Sequence, residues 1–226
     1  MILYAIPCSL GGPASEALPA SAVRTILSLK DFVVENAKSA RAFLGELGMP
    51  VRELSILEIH DKSEALLKPL RDGRSIGLLS EAGCPAIADP GAALVEAAHR
   101  EGFRVVPLVG PSSIVMALMA SGLEGQRFSF CGYLPREGMS RTKAIQKLEK
   151  RSRQESETQI FIETPYRNDA MFQALLETCN AGTRLCVAAD LTLPTETISS
   201  KTISQWRRQP TAPGKRPTVF LLLAST

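Results

Sequence analysis

The sequence predicts an α/β protein with two domains, a doubly wound parallel sheet in the N-terminal domain and a mixed sheet in a C-terminal α/β domain. In the first half of the 226-residue chain, short apolar runs alternate with longer segments of helical period, an order typical of parallel sheets. Strands outnumber helices in the second half, which favours a mixed sheet. The sequence changes character near Phe128. We therefore expect domains at residues 1–130 and 131–226.

The individual elements follow from the same patterns. Asn36, for example, can cap a helix that stops at Gly48. The predicted strands cover residues 2–6, 32–34, 54–59, 76–79, 103–108, 129–135, 159–162, 185–188, 195–200 and 218–223. The predicted helices cover residues 15–29, 36–47, 63–71, 92–101, 113–120, 140–153, 166–179 and 203–208.

Composition limits the classes of protein and the compartment. A net charge of +3 neither requires nor excludes a nucleic-acid partner. No apolar run approaches the length of a membrane span, and the first residues are typical of a strand rather than a signal peptide. The five cysteines are odd in number and form no C-x-x-C pair. We therefore expect a cytoplasmic protein without a disulfide framework or a zinc site.

Several common catalytic arrangements are disfavoured. The motifs G-x-S-x-G, G-x-x-x-x-G-K-[ST] and G-x-G-x-x-G do not occur where a hydrolase, a P-loop protein or a nicotinamide dehydrogenase needs them. The two histidines are His60 and His99, so we expect no metal cluster. His99 lies in a predicted helix as a surface residue. His60 ends a predicted strand, where a functional role and a local turn hydrogen bond both stay open.

Three loops rich in Gly, Pro and small polar residues follow predicted strands, at residues 7–13, 80–91 and 109–113. In a parallel sheet they emerge at the same edge, where ligands bind. Glu81 offers a carboxylate to ribose hydroxyls or an ammonium, and the amides of Ser112 and Ser113 can face an anion. The loops indicate a site for a nucleotide-like ligand with an amino-acid part. Ordinary strand-to-helix connections are the alternative.

At this point the sequence resembles a known family. Residues 80–91, Ser-Glu-Ala-Gly-Cys-Pro-Ala-Ile-Ala-Asp-Pro-Gly, are similar to the long loop of tetrapyrrole-methylase-like (class III) S-adenosylmethionine methyltransferases. They are most similar to the branch that methylates the cytidine 2′-hydroxyl of 16S ribosomal RNA. Four further matches follow the family order: Tyr4-Ala5-Ile6-Pro7, residues 106–113, Phe130-Cys131-Gly132-Tyr133-Leu134-Pro135 and Glu163-Thr164-Pro165-Tyr166-Arg167.

The resemblance implies that S-adenosylmethionine binds in a cleft between two domains and that the protein is a homodimer. It also implies the residues that line the cofactor site. These are Pro7, Glu81, Gly83, Cys84, Pro85, Ser112, Ser113 and Leu134, with Thr164 and Pro165 from the second domain and Thr218 at the start of the last strand.

The sequence departs from the RNA-modifying branch at two charged motifs. Glu-Asp-Thr-Arg is replaced by Glu35-Asn36-Ala37-Lys38, and Glu-Leu-Thr-Lys is replaced by Asp190-Leu191-Thr192-Leu193. The usual Asp of the long loop is Glu81, and the usual Thr is Cys84. Phosphate contacts dominate nucleic-acid affinity. The changes in the charged motifs therefore argue against a ribosomal RNA substrate.

Methyl transfer to a hydroxyl needs a group that takes the proton. The candidate bases or orienting residues are Glu35, Glu163 and Asp190, each of which could instead be a cap or a salt-bridge partner. Three interpretations stay open. The chain is a methyltransferase of 16S rRNA within the small ribosomal subunit, a methyltransferase of a tetrapyrrole or another small molecule, or a cofactor-binding protein without catalysis.

Overall fold

The first unit is built on a five-stranded parallel sheet. We describe a computed structural model that covers residues 1–59 and 66–225. The strands are β1 (Ile2–Ile6), β2 (Asp31–Val34), β3 (Ser55–Glu58), β4 (Ile76–Leu79) and β5 (Arg104–Pro107). Their order in the sheet is β3-β2-β4-β1-β5, and each neighbouring pair is parallel. The predicted doubly wound sheet is confirmed.

Successive side chains of each strand point to opposite faces of this sheet, and apolar clusters cover both faces. Phe32 packs in a cluster on one face with Ile6, whereas Val33 packs on the other face with Leu3. The helices of this unit are α1 (Ala14–Ala17), α2 (Ala20–Leu27), α3 (Ala37–Glu46), α4 (Lys68–Arg71) and α5 (Ala92–Arg100). Burial on both faces explains why the strands read as apolar runs.

The single helix predicted for residues 15–29 is wrong. Leu18 adopts an extended conformation (φ −111°, ψ 138°), and the chain resumes as α2 only after Pro19. The ring of a proline clashes with a helical residue before it, so Pro19 separates α1 from α2. The helix predicted for residues 63–71 lies partly outside the described residues, as does His60.

The second unit contains a mixed sheet. Its strands are β6 (Phe128–Tyr133), β7 (Thr158–Glu163), β8 (Arg184–Ala189), β9 (Thr197–Thr202) and β10 (Thr218–Leu223). The order is β6-β7-β10-β8-β9, with β6 parallel to β7 and the other pairs antiparallel. The helices are α6 (Ser113–Ser121), α7 (Gly138–Glu155), α8 (Asn168–Thr178) and α9 (Ile203–Arg208), and a 3₁₀ turn (Pro165–Arg167) precedes α8. The predicted mixed sheet is confirmed.

The division between the units lies at Ser112, since the compact parts are Met1–Ser112 and Ser113–Thr226. This differs from the boundary predicted at residue 130. The reason is α6, which packs against β8, β9 and β10 and so joins the second sheet. A change in local sequence character marks β6 but does not reveal where the helix before it packs.

Aromatic side chains fill one face of the second sheet. The rings of Phe161 and Phe220 stack with centroids 5.6 Å apart, and Trp206 meets Phe172 edge-on at 5.3 Å. The indole nitrogen of Trp206 donates to the Leu185 carbonyl at 2.9 Å, so this buried ring leaves no polar atom without a partner.

A buried carboxylate on α7 holds the turn between α8 and β8. Glu149 is 5% exposed and accepts hydrogen bonds from the Asn180 amide nitrogen at 2.7 Å and side-chain nitrogen at 2.6 Å. The Thr183 hydroxyl also donates to it. These charge-assisted bonds connect two parts of the unit that are distant in sequence.

None of the helices formed by residues 1–59 and 66–225 is long and apolar enough to cross a membrane.

Replacing Glu149 with Gln should lower the free energy of unfolding by about 3 kcal/mol, because an amide donor then faces groups that themselves donate. Trp206, the single tryptophan of the chain, reports urea unfolding of this unit by its fluorescence. Glu155→Gln is the matched control, since Glu155 lies on the same helix in an exposed pair with Arg127 at 2.9 Å. That change should be worth less than about 1 kcal/mol. Equal destabilisation by both variants would contradict the role of Glu149.

Candidate functional site

Three loops meet at the carboxyl edge of the first sheet. The Cys8 amide donates to the Gly83 carbonyl at 2.8 Å, and the Gly83 amide donates back to the Cys8 carbonyl at 3.1 Å. The Cys84 thiol lies 3.4 Å from the Pro111 carbonyl that accepts its hydrogen bond. Because β4 lies between β2 and β1 in the sheet, its loop falls beside the loop that follows β1. The expected meeting of loops 7–13, 80–91 and 109–113 is confirmed.

A glycine allows the first and third of these loops to approach closely. A Cβ atom on Gly110 would lie 2.5 Å from Cβ of Pro7 and 2.9 Å from Cδ2 of Leu18. Such separations are shorter than any carbon–carbon van der Waals contact. Gly110 therefore fixes the position of Pro7, one of the predicted cofactor residues.

The long loop holds its backbone in an unusual conformation. Gly83 and Gly91 have positive φ angles, as expected for glycine, but Ala86 and Ala88 also have φ of 65°. A left-handed residue with a side chain costs roughly 1–2 kcal/mol. Strained backbone of this kind is concentrated at ligand sites, so the loop has the character of a preset binding element. Pro85 is buried within it.

Carboxylates gather beside this loop. The Glu81 amide donates to Oε2 of Glu35 at 3.2 Å, and the Ser39 hydroxyl donates to Oε1 of Glu81 at 2.9 Å. Burial raises the pKa of Glu35, and the charges of Asp89 and Glu81 raise it further, although the hydrogen bond from the Glu81 amide opposes them. Burial also raises the pKa of Asp89, with a smaller contribution from Glu81. The acids form a negative cluster suited to an ammonium group or hydroxyl donors.

Asn36 orders the chain next to this cluster. Its side-chain oxygen accepts from the Lys38 amide at 2.9 Å and the Ser39 amide at 3.2 Å, which caps α3 as predicted. An asparagine therefore serves as a cap where the resembling motif has an aspartate. Sequence reasoning missed Ser39, because its contact with Glu81 joins residues far apart in the chain.

The two cysteines of this region carry neutral thiols. Burial is the main cause that raises the pKa of Cys8 to about 12, and burial also raises the pKa of Cys84. The Cys8 thiol donates to the Ser80 carbonyl at 3.1 Å. Both groups therefore act as weak donors to backbone oxygens rather than as nucleophiles. Ser112, whose side chain hydrogen-bonds Cys84, ends the first unit, and Ser113 begins α6 of the second.

A second set of predicted residues meets at one edge of the second sheet. Thr218, the first residue of β10, pairs with Glu163 at the end of β7 and with Ala189 at the end of β8. Asp190 follows directly, and its amide donates to the Pro217 carbonyl at 3.0 Å. Thr164 and Pro165 continue from Glu163. The fold therefore brings Glu163, Asp190 and Thr218 together.

The carboxylates at this edge already have partners. Oε1 of Glu163 accepts from Nη2 of Arg167 and from the Thr164 amide at 2.6 Å, and the Glu163 side chain is 2% exposed. Oδ2 of Asp190 accepts from the Thr195 hydroxyl at 2.9 Å and lies 3.6 Å from Nη1 of Arg216. Both groups are arranged to orient neighbours.

Asn168 ties the edge together and was missed from the sequence. Its Nδ2 donates to the carbonyls of Gly214 at 3.2 Å and Arg216 at 2.7 Å, and to the Thr218 hydroxyl at 3.2 Å. Its Oδ1 is buried and finds no partner among the described residues. Its position directly after the Glu163–Arg167 motif was the one feature of the sequence that could have pointed to it.

A pocket of about 480 Å³ opens on the second unit. Its lining residues are Tyr133, Leu134, Pro135, Arg136, Thr164 and Arg167. Leu134 is buried, whereas Tyr133 is 55% exposed. The pocket contains two predicted cofactor residues, Leu134 and Thr164, beside charged and aromatic groups that the prediction did not include. Pockets of this size hold small organic ligands.

Metal ligands do not cluster in the part of the chain that the structure describes, and all five cysteines found there are free thiols.

Comparison with known proteins gives consistent matches. The family model of tetrapyrrole (corrin/porphyrin) methylases matches residues 12–206. Ribosomal RNA small subunit methyltransferase I of Halalkalibacterium halodurans is 32% identical over 220 residues, which are 94% of this chain and 73% of that protein. The protein of the same name from Vibrio cholerae serotype O1 is 31% identical over 206 residues, which are 90% of this chain and 69% of that protein.

The fold has known counterparts as well. The crystal structure of the methyltransferase CobJ matches with a TM-score of 0.63 and 18% identity, over 99% of this chain and 93% of that one. At this identity the likeness concerns the fold alone. The family match and the relatives confirm the resemblance predicted from the sequence motifs, and the chain belongs to the family of tetrapyrrole (corrin/porphyrin) methylases.

Proposed function

We propose that the chain is an S-adenosylmethionine-dependent methyltransferase that modifies a ribose 2′-hydroxyl of 16S rRNA. The observation that carries the cofactor part is the long loop at residues 80–91, which is strained, carries Glu81 and is paired through Gly83 to the loop after β1. The substrate part is supported by the names of the relatives, ribosomal RNA small subunit methyltransferase I.

The loops of the first unit carry groups that suit the charges and hydroxyls of S-adenosylmethionine. Glu81 is exposed, so its carboxylate can accept hydrogen bonds from ribose hydroxyls or the ammonium group of the cofactor. Gly83 brings backbone close to a ligand, and Pro7 and Pro85 stiffen the loops around it. Cys84 and Ser112 complete the part of the proposed cofactor set that lies in the first unit, and Ser113 is the first residue of the second unit.

Residues of the second unit are the rest of that set. Leu134, Thr164, Pro165 and Thr218 belong to it by resemblance to the family. The pocket beside Leu134 and Thr164 supports a ligand site on this unit. The cofactor cleft between the domains stays a prediction.

S-adenosylmethionine, when bound, supplies an electrophilic methyl group. The protein then has to orient the acceptor oxygen, exclude water and remove one proton. We assign the removal of this proton to Glu35. Its pKa is raised toward the pH at which the enzyme works, and its Oε1 is not engaged by any described residue. Glu163 and Asp190 are already hydrogen-bonded, so we assign them orienting roles.

A basic surface on α7 supports an RNA substrate. Lys143, Lys147 and Lys150 are exposed and lie four and three residues apart, so they form one stripe along the helix. Such a stripe can follow a phosphate backbone. Leu193, where the resembling motif has lysine, makes the surface less basic at the edge near Asp190.

A homodimer and a cytoplasmic location stay predictions. Met119 on α6 is 79% exposed, which offers apolar surface to a second copy. Free thiols suit a reducing compartment.

Replacing Glu81 with Gln should weaken binding of S-adenosylmethionine about tenfold or more, since a charge-assisted hydrogen bond is replaced by a neutral one. Isothermal titration calorimetry measures the change. Glu96→Gln, which removes the same charge from an exposed position on α5, should bind like the wild type. A folded wild-type protein that does not bind the cofactor would overturn the cofactor assignment and favour a protein without catalysis.

Glu35→Gln should raise thermal stability at neutral pH. A carboxyl group whose folded pKa is raised contributes stability that is complete below its ordinary pKa and is lost as the pH rises through the folded pKa. The glutamine variant does not titrate, so its melting temperature should exceed that of the wild type by about 1–3 °C at pH 7.5. The two should converge near pH 4. Circular dichroism measures both melting temperatures, with Glu96→Gln as the control. A lower melting temperature for Glu35→Gln at pH 7.5 would show that the charged Glu35 is not destabilised by burial and by its acidic neighbours.

Methyl transfer to small ribosomal subunits from cells that lack the protein tests the reaction. Glu35→Gln should lower turnover about 100-fold or more and remove the rise of rate with pH that a base produces. Glu163→Gln and Asp190→Asn should lower the rate but keep that rise. Full turnover by Glu35→Gln would show that Glu35 is not the base. If wild-type protein binds the cofactor but methylates an anionic tetrapyrrole instead, the RNA substrate is wrong.

A further inference from the structure

The pocket on the second unit has a rim that the proposed cofactor set does not explain. Leu134 and Thr164 belong to that set, whereas Tyr133, Arg136 and Arg167 do not. The rim combines one aromatic ring with two guanidinium groups around a volume of about 480 Å³. Its chemistry is complementary to a ligand with a flat ring and a negative charge.

Tyr133 is turned toward solvent by an irregularity in its strand. The pairing of β6 with β7 shifts between Phe130 and Tyr133, and Gly132 between them has φ of 64°. Bulges of this kind re-aim side chains next to binding sites. Tyr133 is left 55% exposed in the lining of the pocket, where a base can stack on its ring.

Arg167 is held with one nitrogen unused. Its Nε donates to the Thr164 hydroxyl at 3.0 Å, and its Nη2 donates to Glu163. Its Nη1 is buried and has no partner among the described residues. A buried donor without an acceptor is costly, and a small rotation of the guanidinium would let a phosphate oxygen satisfy it. Glu163 thereby acts as a positioning residue for Arg167.

Further basic groups lie near the rim in the sequence. Arg136 is exposed and belongs to the lining of the pocket. The next element, α7, begins two residues later and carries the stripe of Lys143, Lys147 and Lys150. On the turn that carries Arg167, Tyr166 is 82% exposed, and Nζ of Lys215 lies 5.4 Å from its ring centroid.

We propose that this pocket receives the acceptor nucleotide of the RNA, with its base on Tyr133 and its phosphate between Arg136 and Arg167. The assignment rests on the proposed function and names the part of the protein that selects the substrate. Alternating aromatic and cationic groups are typical of surfaces that bind unpaired nucleotides. An enzyme that acts on one nucleotide of a folded RNA has to draw that nucleotide out of its stack, and the pocket can bind the extruded nucleotide. The lysines on α7 then contact the neighbouring phosphates.

The test combines three measurements on the full chain. These are calorimetric affinity for S-adenosylmethionine, kcat/KM for methyl transfer to unmethylated small ribosomal subunits, and equilibrium binding to those subunits at several salt concentrations. The variants are Tyr133→Ala, Tyr133→Phe and Arg136→Gln. The matched control is Arg184→Gln, which removes the same charge from an exposed position. Arg184 is the first residue of β8, at the end of the strand that is opposite to Ala189 and Asp190.

Tyr133→Ala should lower kcat/KM about tenfold, as expected for loss of one stacked base, whereas Tyr133→Phe keeps the ring and should stay within about twofold of the wild type. Arg136→Gln should weaken subunit binding and reduce the slope of log affinity against log salt by about one. All three should bind the cofactor as the wild type does, and Arg184→Gln should match the wild type throughout.

Three outcomes would overturn the assignment in distinguishable ways. If wild-type protein methylates subunits and the rim variants do so equally well, the acceptor nucleotide binds elsewhere. Loss of cofactor affinity in parallel with kcat/KM would make the rim part of the cofactor site. If wild-type protein binds cofactor but does not methylate subunits, the proposed function fails and this inference fails with it. In that case, transfer to an anionic tetrapyrrole that Arg136→Gln weakens would identify a small-molecule pocket.

Discussion

The pair of backbone hydrogen bonds between Cys8 and Gly83 is the contact on which the candidate site of the first unit depends. It fixes the long loop after β4 to the short loop after β1, and it does so without any side chain. Two side chains add to this pairing, since the Cys8 thiol donates to the Ser80 carbonyl at 3.1 Å and the Cys84 thiol donates to the Pro111 carbonyl at 3.4 Å. Gly110 adds the third loop to this arrangement, since any larger residue would displace Pro7. Glu81 belongs to the long loop itself, whereas Glu35 follows β2 and its amide donates to the Leu79 carbonyl at 3.1 Å.

The second unit follows a different plan. The edge that holds its candidate residues is assembled from the ends of antiparallel strands, so Glu163, Asp190 and Thr218 come from distant parts of the chain. Side chains fix the geometry here, in particular Asn168, which binds the segment that enters β10. One unit thus relies on backbone pairing to form its site, and the other relies on a buried polar network. Networks of this kind are sensitive to the loss of any one member.

Most of the architecture could be predicted from the sequence, because apolar periodicity reflects burial directly. The strand Ile76–Leu79 and the cap at Asn36 are local features and were found. The break at Pro19 is local too, but a helical pattern on both sides of it concealed the interruption. The packing of α6 on the second sheet is a tertiary contact, so no local pattern could have located the division at Ser112.

The candidate site was only partly predictable for the same reason. Glu81 stands in a motif that can be read from consecutive residues. The contacts of Ser39 with Glu81 and of Asn168 with Thr218 join residues that are far apart in the chain, and their side chains have no distinctive neighbours in sequence. The unused nitrogen of Arg167 depends on which donors Glu163 and Thr164 accept from, which only three-dimensional geometry reveals.

The two left-handed alanines of the long loop, Ala86 and Ala88, have a consequence for how this sequence can diverge. Glycine would relax the backbone and asparagine would tolerate it, whereas valine, isoleucine or threonine would clash with the neighbouring carbonyl oxygens. Accepted changes at both positions are thus confined to a few small residues, whatever happens to the ligand. A descendant that changed its ligand would therefore still keep small residues at these two positions.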